Sequence, residues 1–357
     1  MCGIVGISAE TNVAAEIYDS LLMLQHRGQD AAGMVVCDSQ DKLNSRKSMG
    51  YVRDVFQQRH MNKLIGSYGV GHVRYPTAGG TGKEFAQPMY VNSPYGISMV
   101  HNGNLTNSKE LGVQLFHAEM RHLNTDSDSE VLLNIFAHEL GKQREIYPSA
   151  EHIFKAVSKT HRRCNGAYAV LALITGHGIL AFRDNNGIRP LCIGIRKGET
   201  RDEYIIASED ALFESQGFKK LRDVEPGEAV YIDKKGNFFS QQCAEEPQKR
   251  PCIFEYVYFS RPDSNIDEIS VYKARMRTNE YQLDFVVANT DSLLLRKPGG
   301  SDAVISQITN QTSIATAGSY TLSFDYDGSD DVALLFASMR NLDDDTHSYI
   351  DIDNISV

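Results

Sequence analysis

No stretch of this 357-residue chain approaches the ~18 consecutive apolar residues that a membrane-spanning helix needs, so no membrane association is expected. No basic segment followed by an apolar one opens the chain, so a secretory leader is not expected either. The six cysteines, Cys2, Cys37, Cys164, Cys192, Cys243 and Cys252, are scattered, and no pair is spaced C-x-x-C. That pattern speaks against a zinc knuckle or a disulfide framework and fits free thiols in a reducing cytoplasm. A basic stripe is absent too, so no nucleic-acid partner is expected. What remains, 41% hydrophobic and 23% charged residues, is the composition of a soluble globular protein long enough for two domains. The charge is unevenly placed. Residues 278–357 hold 3 Lys/Arg against 13 Asp/Glu and so carry the whole net charge of −10, while residues 1–277 balance at 33 of each sign. Such a shift marks a candidate domain boundary.

The chain opens Met1-Cys2-Gly3-Ile4-Val5-Gly6. Once Met1 is removed, residue 2 carries both a thiol and a free α-amine. The amine has an ordinary pKa of about 8 and acts as a base near neutrality. The thiol, at about 8.5, is readily activated as a nucleophile. A nucleophile served by its own terminal amine is an established catalytic arrangement. Taken alone, Cys2 also reads as a small buried residue at a chain end, and the rest of the chain has to decide.

Residues 2–9 read as a buried strand, and 13–25 as an amphipathic helix with Ile17, Leu21 and Leu24 on one face, stopped by His26-Arg27-Gly28. Strands are expected at 34–37, 68–74 and 96–100, the last ended by the Asn102-Gly103 turn signal. Helices follow near 107–122, at 129–141 with a Ser127/Glu130 capping box, and at 149–163. Five strands then cluster at 167–174, 179–184, 190–195, 204–208 and 229–232. Strands grouped without intervening helices fit two stacked sheets covered by helices better than a βαβ repeat.

Polar groups gather at the ends of these elements. Arg74, before Tyr75-Pro76-Thr77, suits a carboxylate through a two-pronged hydrogen bond. The Asn102 amide beside the Gly103 N–H suits an oxyanion. Asp128, at a helix start, suits an ammonium group, and Arg27 offers a further positive charge. Each has an ordinary use as well: a surface ion pair, a turn, or a partner of the helix dipole. His26, His72 and His101 invite a Cys–His dyad, but each more readily fills a structural hydrogen bond. Cys37, Cys164 and Cys192 lie in apolar runs and read as core. Asp343-Asp344-Asp345 reads as a solvated loop rather than a calcium site. Together, a carboxylate clamp, an ammonium site, a thiol and an oxyanion hole describe acyl transfer from glutamine.

Residues 1 to about 276 closely resemble the N-terminal glutaminase domain of the amidophosphoribosyltransferase family, which begins purine biosynthesis. The resemblance rests on MCGIVGI (1–7), LQHRGQDAAG (24–33), GHVRYPTAG (71–79), QPMYVNSPYGI (87–97), HNGNLTN (101–107), TDSDSEVLL (125–133), FRDNNGIRPL (182–191), FEYVYFSRPDS (254–264) and SVYKAR (270–275). It implies an α+β, four-layer αββα N-terminal-nucleophile hydrolase fold. It implies Cys2 as nucleophile, and Asn102 and Gly103 as oxyanion hole. Arg74, Asp128, Arg27 and Thr77 would bind glutamine. Neither the propeptide nor the iron–sulfur cluster of some relatives is expected, no metal is expected here, and the glutaminase reaction needs no cofactor.

The family continues into a phosphoribosyltransferase half that uses magnesium, and its signature is missing from residues 277–357. Instead, ITNQTSIATAGSYTLSFDYDG and the closing YIDIDNISV resemble a galactose-binding-like jelly-roll fragment. The expected organisation is a glutaminase domain at 2–276, a linker at 277–300 and an all-β tail at 301–357. The expected partners are glutamine and either further copies of the chain or a separate phosphoribosyltransferase chain. The alternative is a non-catalytic relic whose acidic tail binds carbohydrate or another surface.

Overall fold

The computed structural model describes residues 2–75 and 82–280, together with short strands at 293–296, 304–308, 339–340 and 347–348. Residues 1–271 form one compact unit and 272–357 a second. In the first unit, strand β1 (Gly3–Ser8) leads to helix α1 (Ala14–Met23), then to β2 (Ala31–Cys37), β3 (Leu43–Met49), β4 (Tyr68–Arg74), β5 (Met89–Val91) and β6 (Ile97–Leu105). Helices α2 (Ser108–His117), α3 (Asp128–Gly141) and α4 (Ala150–Arg163) follow. The unit continues with β7 (Gly166–Ile174), β8 (Gly178–Arg183), β9 (Cys192–Lys197), β10 (Asp202–Ala207), β11 (Lys219–Asp223), β12 (Glu228–Asp233) and β13 (Phe238–Gln242).

The strands build two antiparallel sheets, ordered β11-β9-β10-β1-β4-β2-β3 and β13-β12-β8-β7-β6-β5. Alternation along each strand explains the layers. Ile4, Val35 and Val70 point from the first sheet into a core shared with Val100, Leu171 and Ala181 of the second. Their neighbours Val5, Val36 and Val73 point the other way, onto Ile17, Leu21 and Leu24. On the far side, Met99, Val170 and Phe182 pack under Leu132, Phe136 and Ile153 of the helices. The result is four layers, αββα. Sheets covered on both faces need near-continuous apolar strands, which is why β1 is buried from end to end.

Four strands were not expected from the sequence: β3, β5, β11 and β13. They are the four sheet edges. LNSRKSM, KKLRD and FFSQQ lack the apolar pattern because an edge strand faces solvent, and MYV is only three residues long. Strand β6 also differs from expectation. It does not stop at His101 but runs to Leu105, paired throughout with β7, so Asn102-Gly103 lies within a strand rather than a turn.

A helix (Val271–Glu280) starts at the boundary; the second unit then holds a hairpin pairing Leu293–Arg296 with Val304–Ile308, and Met339–Arg340 pairs with His347–Ser348. The span expected as linker therefore holds a strand. Its apolar run Leu293-Leu294-Leu295 supplies a β pattern. The remainder of the expected jelly-roll tail, including Asp343-Asp344-Asp345, lies outside the described residues.

Candidate active site

Cys2 immediately precedes β1, the strand central to its sheet, and is buried. Its main chain is held at both ends. The Cys2 N–H donates to Asn102 Oδ1 at 3.0 Å, and its carbonyl accepts from Arg27 Nε at 3.1 Å. The sulfur meets the backbone of Tyr75, whose N–H lies 3.5 Å from Sγ. Burial pushes the thiol pKa up. The Tyr75 backbone and the Arg74 charge pull it down, and Asp128 raises it. Arg74 and Asp128 therefore act on the sulfur with opposite sign, as expected of two groups flanking one site.

Asn102 reaches the site from the second sheet. With Oδ1 committed to Cys2, its Nδ2 is buried and has no partner among the described residues. An orphaned buried amide costs about 1–3 kcal/mol, so it calls for an explanation, and an acceptor brought by a ligand is one. Gly103 follows with φ of 154°. A Cβ there would sit 1.9 Å from the Ala167 carbonyl oxygen, so the close pairing of β6 with β7 requires glycine.

Arg74 ends β4 and is ion-paired with Asp30. Its guanidinium stands 5.5 Å from the Phe85 ring centroid. Gly28 makes this corner possible, because a Cβ there would lie 2.5 Å from the Arg74 carbonyl carbon. Asp128 opens α3. Its Oδ2 accepts from the Leu105 N–H at 3.0 Å, which ties the helix start to the end of β6. The capping box is corrected in detail. Ser127 caps the helix by accepting from the Ser129 N–H at 3.3 Å, but Glu130 does not reach back to Ser127. Its carboxylate instead takes the N–H groups of Asn124 and Thr125 at 2.9 and 2.8 Å, because the preceding loop leaves those donors unpaired.

Arg27 is also corrected. It was expected to touch substrate, yet it is fully buried with its donors engaged. Besides the Cys2 carbonyl, Nη1 donates to Glu209 at 2.5 Å and Ser260 at 3.3 Å. Nη2 donates to both oxygens of Glu255 at 2.8 and 2.6 Å. Thr77 lies outside the described residues. The histidines take structural partners. His26 reaches Glu209 at 2.8 Å, His72 reaches the His101 carbonyl at 3.3 Å, and His101 reaches Ser129 Oγ at 3.0 Å. Burial lowers the pKa of His101, and that of His72 to about 3, keeping both neutral. Cys37, Cys164 and Cys192 are core residues.

Sequence reasoning missed Glu209, Glu255 and Ser260. One signal was present for Glu209, an acid two residues after the apolar strand end Ile205-Ile206-Ala207. Glu255 and Ser260 lay inside the quoted FEYVYFSRPDS motif, where nothing local assigned them a role.

Two stacked antiparallel sheets between helices, with a cysteine at residue 2 beside a buried asparagine amide, define a glutamine amidotransferase domain of the N-terminal-nucleophile type. Residues 80–215 match the glutamine amidotransferase domain family. An amidophosphoribosyltransferase of Pseudomonas aeruginosa is 58% identical over 287 residues, covering 80% of this chain and 57% of that protein. The Escherichia coli amidophosphoribosyltransferase is 56% identical, covering 77% and 55%. The structure of the glutamine phosphoribosylpyrophosphate amidotransferase from B. subtilis, complexed with ADP and GMP, superposes with a TM-score of 0.68 at 36% identity, covering 78% of this chain and 57% of that one. Over its N-terminal four-fifths the chain is similar to amidophosphoribosyltransferases. It spans just over half the length of the curated relatives it matches. Among the described residues, no helix is long and apolar enough to cross a membrane.

Proposed function

We propose that this chain releases ammonia from glutamine through a thioester on Cys2. The observation that carries this reading is the divided Asn102 amide: Oδ1 holds the Cys2 main chain while the buried Nδ2 has no described partner. A donor fixed beside the nucleophile and lacking an acceptor suits the oxygen of a tetrahedral intermediate. After Met1 is removed, the α-amine of Cys2 takes the thiol proton, which the raised pKa of the buried sulfur makes necessary near neutrality. The thiolate attacks the side-chain amide carbon of glutamine. Asn102 Nδ2 and the Gly103 N–H hold the oxyanion. The proton returns to the leaving nitrogen as ammonia departs, and water then hydrolyses the thioester to glutamate. Arg74 holds the α-carboxylate, Asp128 the α-ammonium group, and Thr77 adds a contact to the bound amino acid.

The similarity to amidophosphoribosyltransferases supports a role in the first step of purine biosynthesis, with the ammonia passed to a phosphoribosyltransferase. That half is expected on a separate chain, and a homo-oligomer is the alternative assembly. Magnesium belongs with that half, while the glutaminase step needs no cofactor. A cytoplasmic location is part of the same proposal.

Glutamate release by the full chain tests the reading. Cys2→Ala is expected to reduce it by more than about 10³-fold while leaving the thermal unfolding midpoint nearly unchanged. Full activity in that variant, or with an extra residue locked in front of Cys2, would rule the mechanism out.

A further inference from the structure

The main chain of a nucleophile must be held for its side chain to keep one angle of attack. Two hydrogen bonds do that work here. Asn102 holds the N–H of Cys2 and Arg27 holds its carbonyl. The two anchors differ in how they are themselves held. Asn102 is a strand residue paired into the second sheet. Arg27 lies in a single short turn, Gln25–Arg27, and is fixed by side chains from two distant segments.

Glu209, just after β10, takes Arg27 Nη1 at 2.5 Å. Its other oxygen accepts from Ser264 Oγ at 2.7 Å and the Arg261 N–H at 2.8 Å. Glu255, in a π-helical turn at Glu255–Phe259, grips Nη2 with both oxygens. The side chains of Arg27, Glu209 and Glu255 are at most 1% exposed. Burial works against the charges, yet the carboxylates hold Arg27 protonated and the Arg27 and His26 charges hold Glu209 below the usual carboxylate range.

A buried ion cluster of this kind is a weak source of net stability, since desolvation offsets most of the attraction. It does confer direction, because a forked guanidinium held at both prongs points its remaining Nε–H one way. That N–H points at the Cys2 carbonyl.

We propose that Arg27 is a positioning residue for Cys2: clamped by Glu209 and Glu255, it fixes the Cys2 carbonyl and so the angle at which the thiol meets an amide held at Asn102. The assignment rests on the reading of Cys2 as the nucleophile. It separates Arg27 from Arg74, which acts on the substrate.

The test is steady-state glutamine hydrolysis by the full chain, wild type against Arg27→Lys and Glu255→Gln, with thermal unfolding as the folding control. A lysine keeps the charge but has no fork. For Arg27→Lys, kcat is expected to fall about 10- to 100-fold, with KM for glutamine changed by less than about twofold because Arg74 and Asp128 are untouched. For Glu255→Gln, which keeps the shape of one partner, kcat falls less, with the same unchanged KM. If Arg27→Lys does not unfold cooperatively, Glu255→Gln decides alone. A rise in KM at unchanged kcat, or wild-type kcat in every folded variant, overturns the assignment while leaving the nucleophile in place. A wild-type chain that releases no glutamate overturns the nucleophile reading, and this assignment with it.

Discussion

Arg27 and Arg74 flank the same cysteine, and each is paired with carboxylate. Arg27 lies on the sealed side, where the buried acids Glu209 and Glu255 and the Cys2 carbonyl engage its donors. Arg74 is buried too, but it adjoins Tyr75, which is 48% exposed, and its partner Asp30 is partly exposed. One guanidinium is part of the wall, and the other is the one we propose faces the ligand. A side chain's chemistry therefore does not decide between holding the protein and holding the substrate; the surroundings do.

The contrast gives measurable differences. Replacing Arg27 by methionine strands two buried carboxylates and is expected to cost about 3–5 kcal/mol of stability. Replacing Arg74 by methionine is expected to leave stability closer to wild type and to raise KM for glutamine by about tenfold or more, the worth of one charged hydrogen bond. Denaturant unfolding and steady-state kinetics on the two variants check this, and similar losses of stability in both would erase the distinction. Asn102→Ala should lower kcat about 10²- to 10³-fold. It removes both the Cys2 anchor and the orphaned donor, and rate measurements at saturating glutamine report it. A loss below about threefold would leave the donor without a catalytic use.

A further effect concerns pH. His72 is buried and neutral, with its pKa lowered by burial to about 3. An unfolded histidine takes up its proton near about 6.5. Between those values the unfolded state binds more protons, so stability falls as pH falls, by up to about 1.4 kcal/mol per pH unit from this residue. His72→Asn should flatten the slope of stability against pH between pH 6 and pH 4, measured by urea unfolding. An unchanged slope would show that His72 already carries a proton in the fold or contributes nothing to the transition.

What the sequence revealed follows from how much each feature depends on its own segment. Central strands such as β1 and β7 were legible because burial on both faces demands apolar runs. The edge strands β3, β11 and β13 were not, because their place in the sheet comes from a neighbour's unpaired backbone rather than from their own polar sequences. Asn102-Gly103 carried a turn signal that pairing with β7 overrode. Cys2, Asn102, Arg74 and Asp128 were named from motif and chemistry, and the structure brings them around one sulfur. Arg27 was named for the wrong contact, because its partners Glu209 and Glu255 lie 182 and 228 residues away and no local pattern announces them.

The central claim is that Cys2 is a nucleophile served by the groups around it. Intact mass spectrometry of the full chain treated with a glutamine-analogue electrophile tests it most directly. The account predicts loss of Met1, a single adduct mapping to Cys2, protection by glutamine, and no adduct in Cys2→Ala. A retained Met1 with full glutaminase activity, or an adduct on Cys252 in place of Cys2, would contradict it.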